Sequence, residues 1–306
     1  MTELEPTPKR PFVKNVFLSP DEPRLRAGWR LLIHTIGYNI FLICISIPAL
    51  IPILLWSISP DNLLLNSAIA LFAVTPSVFL ARRFLDKRSI TSLGLKLDRQ
   101  VLADVVVGFF IPFLVMGLIF LAEWSLGWLT LDGFAWQTDV ILTVILNTIL
   151  YLGILLIVAW NEELLFRGYR LQNFSDGLNT TWGVLLSSVW FGIAHLANPN
   201  TDAKFSVAIG IFLAGVFLAY GYLSTNQLWL PIGLHLGWNF FEGVVFGFPV
   251  SGLDIYRLIR ITVDGPVLWT GGAFGPEAGL VVLPGLLLGV TLIFVYSKYL
   301  RKPIND

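Results

Sequence analysis

The chain has 306 residues, 56% hydrophobic and 13% charged, and its 20 basic side chains balance its 20 acidic ones. Soluble domains carry about 25% charged residues, so an ordinary soluble globular protein is excluded, and zero net charge offers no field to gather nucleic acid. A lone cysteine, Cys44, excludes an internal disulfide and a cysteine-based zinc site; set among Leu and Ile, it is expected to be a buried apolar residue.

The first 30 residues hold Lys9, Arg10, Lys14, Arg24, Arg26 and Arg30, with Pro6, Pro8, Pro11 and Pro20. They lack the apolar core of a signal peptide. Segment 1–30 is therefore expected to be a cytoplasmic basic tail, partly disordered and ending at the membrane surface. A span needs about 20 mostly apolar residues. Eight stretches qualify in sequence order: roughly 31–56, 63–81, 101–123, 139–163, 181–198, 205–223, 228–247 and 279–297. Trp29, Trp56, Trp124, Trp128, Trp182 and Trp229 punctuate their ends, as an interfacial belt does. Residues 31–300 thus form an all-α, multi-spanning transmembrane bundle. Basic residues concentrate in the tail, in the 82–100 loop, at Arg167 and Arg170, and after residue 297. The opposite loops hold only Lys204, Arg257 and Arg260, which places both termini in the cytoplasm. The Gly- and Pro-rich stretch 248–278 reads as a plain connector rather than a lid. No internal repeat is evident.

Within this apolar sequence three polar clusters fall in predicted spans. An ionisable group at bilayer depth costs roughly 2.5–3.5 kcal/mol, so such groups mark pathways or reaction sites. The first cluster is Glu162-Glu163 with Arg167. Glu163 and Arg167 are spaced i,i+4 with the acid first, the favourable order on a helix. Glu162 points about 100° away and is free for chemistry. The second is Phe191 with His195, in small apolar surroundings. The third is His235 with Asn239, one turn apart on a helix, flanked by Gly233 and Gly237, a pair that permits close helix contact. The third histidine, His34, has no polar cluster nearby and reads as structural or interfacial. Asn66, Asp104, Glu123, Asn147 and Glu242 read as span-end or packing residues.

Two chemistries use the same groups. Zn2+ could be held by Glu162, His195 and His235, with Asn239 nearby, and lower the pKa of a bound water. Alternatively, Glu162 with His195 activates water directly, and His235 with Asn239 donates hydrogen bonds to the oxyanion. The sequence leaves both open, although it lacks the His-Glu-x-x-His zinc helix.

Glu-Glu-x-x-x-Arg, Phe-x-x-x-His and His-x-x-x-Asn, in this order on separate spans, resemble the CPBP family, the type II CAAX prenyl proteases and Abi proteins. The resemblance covers about 139–247. Arg24-Leu-Arg-Ala-Gly-Trp-Arg30 and Ser92-Leu-Gly-Leu-Lys96 also resemble segments of bacterial members. It implies an intramembrane endopeptidase, of metallo or glutamate type, acting on a membrane-associated protein or peptide. It implies Glu162 as the water-activating or ligand carboxylate, supported by Glu163 and Arg167, with His195 beside it and His235 and Asn239 as ligands or oxyanion donors. The expected partners are the lipid bilayer and that substrate, and no nucleic acid; the oligomeric state stays open. The expected location is the bacterial inner membrane or an equivalent internal membrane. The competing readings are a non-catalytic scaffold or bacteriocin-immunity factor and, third, a proton-coupled transporter, which the absence of matching broken spans disfavours.

One tension remains within the sequence. The span limits put Glu162 near the cytoplasmic end of one span and His195 near the outer end of the next, roughly 20 Å apart along the membrane normal. A shared site requires one of these boundaries to be wrong: with the first part of the long apolar stretch 139–166 tilted or interfacial, the helix could continue through Tyr169 and Leu171 and bury Glu162 deeper.

Overall fold

The computed structural model describes residues 12–20, 22–59, 62–201 and 204–301. Its frame is eight helices: α1 (Ala27–Trp56), α2 (Leu63–Leu80), α3 (Val101–Ser125), α4 (Ile141–Glu163), α5 (Thr180–Ala194), α6 (Lys204–Thr225), α7 (Trp229–Asn239) and α8 (Val282–Val295). In lipid every backbone N–H and C=O must be satisfied within its own segment, which is why these apolar runs are helical. Asparagines start two of them. The Asn62 side chain accepts from the Leu65 amide at 2.9 Å, and that of Asn179 from the Trp182 amide at 3.1 Å.

Among the described residues, seven helical stretches are long and apolar enough to cross a membrane, and the protein is an all-α membrane bundle. The eighth expected span, 228–247, is a helix too. It comprises α7 and a wider turn, Phe240–Val245, and falls just short of spanning length. Every residue from Leu230 to Val244 is buried. This short helix is the centre of the bundle, packed against α3, α4 and α6. It has no lipid face, so it needs neither spanning length nor an interfacial anchor.

Gly233 and Gly237 make that position possible. A Cβ on either would run into a backbone carbonyl of α3, that of Val105 or that of Phe109. The small-residue spacing is therefore used as expected, to bring α7 and α3 into backbone contact.

The outer surface is apolar, with Ile43, Leu54, Phe110, Leu146 and Ile193 all exposed. Cys44 lies on this surface, not in the core. In a membrane bundle the solvent on the outside is lipid, so apolar neighbours do not imply an interior position. The one sheet in the described residues is a two-stranded antiparallel ribbon of β1 (Leu129–Phe134) and β2 (Ile259–Val263). It gives the 248–278 stretch more order than a plain connector has.

Two expectations about charge are corrected. Arg24 and Arg30, assigned to a surface tail, are buried. Arg30 meets the fully buried Asp86 at 2.9 Å, and Arg82 meets it at 2.8 Å. Asp176 binds Arg24 at 3.2 Å and Arg88 at 3.2 Å. This cluster ties α1 and the end of α2 to the segment after α4. Residues 1–11 of the expected tail, with Lys9 and Arg10, lie outside the described residues. Arg167 and Arg170, counted among the basic residues beyond the fourth span, are buried within a helix.

That helix resolves the depth conflict. After Glu163 it runs on without a break through a π-helical stretch, Leu164–Leu171, and then Gln172–Gly177. Glu162 therefore lies inside a helix running from Ile141 to Gly177. It sits roughly four turns before the tight turn into α5, and His195 sits roughly four turns after it. Two helices of a hairpin bring such positions to one depth.

Candidate active site

Glu162 and Glu163 leave the same helix in different directions, and their surroundings separate them completely. Glu163 is fully buried. Its Oε1 accepts from Arg167 Nη1 at 2.7 Å and from His235 Nδ1 at 2.8 Å. Arg167 also donates from Nη2 to the Gly215 carbonyl of α6 at 3.2 Å and lies over the Phe191 ring at 4.4 Å. One carboxylate thus joins α4 to α7, and its arginine reaches α5 and α6. The Glu162 side chain keeps 28% of its surface exposed. It lines a cavity of about 540 Å³, whose walls also hold His195, His235 and Asn239.

The two imidazoles converge on Glu162. His195 Nε2 is 3.8 Å and His235 Nε2 3.7 Å from Glu162 Oε2, an oxygen with no hydrogen-bond partner among the described residues. The other ring nitrogens distinguish the two rings. His195 Nδ1 lies 2.9 Å from the Phe191 carbonyl oxygen. A carbonyl only accepts, so Nδ1 carries a proton, and Nε2 presents a lone pair when the ring is neutral. His235 Nδ1 faces the Glu163 carboxylate instead, and its Nε2 faces a second carboxylate. Glu163 is paired with Arg167, whereas Glu162 has no lysine or arginine paired with it among the described residues. A neutral His195 is suited to act as a base, and a His235 with protons on both nitrogens as a donor.

Carboxylate and imidazole are the donor types of a zinc site. Among the described residues, however, no three His, Cys, Asp or Glu side chains are grouped closely enough to hold a metal ion. Ligands about 2.0–2.1 Å from a tetrahedral zinc lie about 3.3 Å apart, less than the 3.7 and 3.8 Å found here. As placed, these groups are set wider than a tetrahedral zinc holds its ligands, and no step below passes through a metal.

Two carboxylates near this site carry no sequence motif. Glu277, from the Gly- and Pro-rich stretch, reaches the cavity wall. It accepts from the Ser251 amide at 2.8 Å, the Ser251 hydroxyl at 2.6 Å and Trp238 Nε1 at 3.1 Å. It thereby holds the residue just before Asn239. Its only sequence signal is an acid in apolar company, Phe274-Gly275-Pro276-Glu277-Ala278. Glu242, expected as a packing residue, is fully buried, and neither carboxylate oxygen has a partner among the described residues. His34 packs on Tyr169 with ring centroids 4.3 Å apart, a structural position as expected. Asp104 is paired with Arg301 at 2.9 Å.

Fold and site together define an integral membrane protein of the multi-span α-helical class, with a carboxylate–imidazole centre buried in its bundle and open to a cavity. A sequence model of the family described as type II CAAX prenyl endopeptidase Rce1-like matches residues 144–241. All seven motif residues, Glu162, Glu163, Arg167, Phe191, His195, His235 and Asn239, lie inside the match. No curated protein and no solved structure matches the sequence. The family supports a membrane protease function, with the bilayer and a membrane-associated substrate as its partners.

Proposed function

We propose that the protein is an intramembrane endopeptidase that hydrolyses a peptide bond by metal-free general acid–base catalysis. The observation that carries this reading is the approach of both imidazole Nε2 atoms to the unpartnered Oε2 of Glu162, at 3.7 and 3.8 Å, in a cavity that can admit water. A water held there hydrogen-bonds to the lone pair of His195 Nε2 and gives a proton to Glu162. Its oxygen attacks the scissile carbonyl carbon. The oxyanion that forms accepts hydrogen bonds from His235 Nε2–H and the Asn239 carboxamide, donors fixed in a water-poor site where they count most. Collapse breaks the C–N bond, and the proton on Glu162 passes to the leaving nitrogen. Glu163 and Arg167 touch no reacting atom in this scheme; they keep His235 charged and in place.

The test is proteolysis of a membrane-peptide library by purified wild type and Glu162→Gln, with metal content and chelator sensitivity measured on the same samples. Wild type is expected to cleave, to do so without stoichiometric metal, and to keep its rate after chelation; Glu162→Gln is expected to be inactive. Full cleavage by Glu162→Gln would end this mechanism. Loss of cleavage on chelation, restored by Zn2+, would replace it with the metal scheme.

A further inference from the structure

Part of the cavity wall is not helical. In the tight turn Val250–Leu253 the two end residues exchange both backbone hydrogen bonds, at 2.9 and 2.8 Å. The central residues have positive φ, 47° at Ser251 and 82° at Gly252, as a type I′ hairpin turn requires. Two other segments hold the turn in place. Asn198 donates to the Ser251 carbonyl at 3.0 Å and Asn200 to the Gly252 carbonyl at 2.9 Å, while Glu277 accepts from the Ser251 amide at 2.8 Å. Beyond the turn, Asp254–Arg257 is neither helix nor turn and leads towards β2. Among the described residues, none of these four makes a backbone–backbone hydrogen bond.

The segment is firmly seated all the same. Leu253 and Ile255 line the cavity, and the Asp254 side chain between them is 77% exposed. That alternation belongs to an extended strand. Ile255 packs on Gly243, just past α7, so closely that a Cβ there would come within 2.6 Å of Ile255 Cδ1. The Tyr256 ring stacks on Tyr151 of α4 with centroids 6.0 Å apart. Tyr151, Leu155, Val158 and Glu162 follow one another at steps of three and four along α4 and share one of its faces. Leu155 and Val158 line the same cavity. Strand and helix face are thus two sides of a trough that leads to Glu162. From Leu155 to Glu162 the α-helix rises roughly 10 Å, which an extended peptide covers in about three residues at roughly 3.3 Å each.

We propose that Leu253–Arg257 is a docking edge on which the substrate peptide adds as a β-strand, held extended with its scissile bond at Glu162. A strand edge with unpaired N–H and C=O groups is a template for another extended chain. Main-chain pairing gives the affinity, and pockets for alternate side chains give the selectivity. The turn and its three side-chain anchors preform the edge, so little ordering is left to the binding step. The segment lies beyond residues 144–241, which the family model matches. The inference rests on the peptidase reading for the position of the cut, but strand addition itself does not need turnover.

Backbone N-methylation reads strand addition directly, because a strand bonds to one edge only through alternate residues. The full-length protein in detergent, as Glu162→Gln, is titrated with a fluorescent N-palmitoylated apolar heptapeptide. Variants of that peptide with a single backbone N-methyl at each successive position are titrated alongside. Methylation should weaken binding about two- to tenfold at alternate positions, the value of one hydrogen bond, and leave the positions between them unchanged. A diazirine-bearing leucine placed within the sensitive run should cross-link to Leu253–Arg257. Equal binding of all the peptides overturns the proposal, and so do losses at consecutive positions or no binding by any peptide. Alternate losses with cross-links confined to other segments overturn it as well. Alternation and the expected cross-links in a protein whose wild type cleaves nothing would leave the docking edge standing and sink the peptidase reading. Cleavage by wild type without alternation would do the reverse.

Discussion

Two adjacent glutamates of the same chemistry end up in different environments because a helix turns about 100° between them. Glu163 points to Arg167 and His235, is fully buried and is hydrogen-bonded to both. Glu162 points to the cavity, with one oxygen unpartnered. Substitutions should therefore separate stability from activity. Arg167→Ala strands a buried carboxylate beside a buried imidazole and should lower stability by about 3–5 kcal/mol as well as abolish cleavage. Glu162→Gln should abolish cleavage while the unfolding midpoint in detergent stays at the wild-type value. Equal midpoints for Arg167→Ala and wild type would remove the structural role given to the Glu163 pair. The i,i+4 spacing of Glu163 and Arg167 is local, and the sequence shows it. The anchoring of His235 by Glu163 joins residues 72 apart in the sequence and has no local signature.

At the scale of elements, the site depends on how closely α7 approaches α3. His235 and Asn239 lie on α7, and Gly233 and Gly237 bring its backbone onto the carbonyls of Val105 and Phe109. Gly237→Ala should force the helices apart, with a loss of about 1–3 kcal/mol, typical of overpacking, and a drop in cleavage rate as Asn239 moves. Gly153→Ala is the matched control. A Cβ there meets nothing within 4 Å, so the better helix propensity of alanine should leave the protein as stable or slightly more so. Thermal unfolding of the two variants side by side checks this; equal losses would show that the close approach is not what matters. The pattern Gly-x-x-x-Gly is visible in the sequence, but its partner helix is not, because hydropathy carries no information about which helix lies opposite.

Across the whole molecule, the largest departures from the sequence reading concern charge. Positive residues near span ends read as surface charges, yet Arg24, Arg30 and Arg82 are buried in a cluster around Asp86 and Asp176. Asp86→Ala leaves two buried guanidinium groups without their anion and should lower stability by about 3–5 kcal/mol. Arg88→Ala, removing a pair whose arginine is one-third exposed, should cost no more than about 1 kcal/mol. Chemical or thermal unfolding of both variants reads the contrast; similar losses would make the Asp86 cluster an ordinary surface network. Composition determined the membrane class, and the hydropathy of each run determined most of the helices, because lipid leaves an apolar segment no alternative that satisfies its backbone. The order of the three motifs pointed to the family, since each holds its chemistry within one or two helical turns. Tertiary structure alone decided the rest: that the fourth helix runs on to Gly177 and sets Glu162 level with His195, that α7 is buried at the centre, and that Arg170 and Glu277 face the same cavity. Each depends on packing between segments far apart in the sequence, and a single sequence records the residues of such contacts but not their pairing.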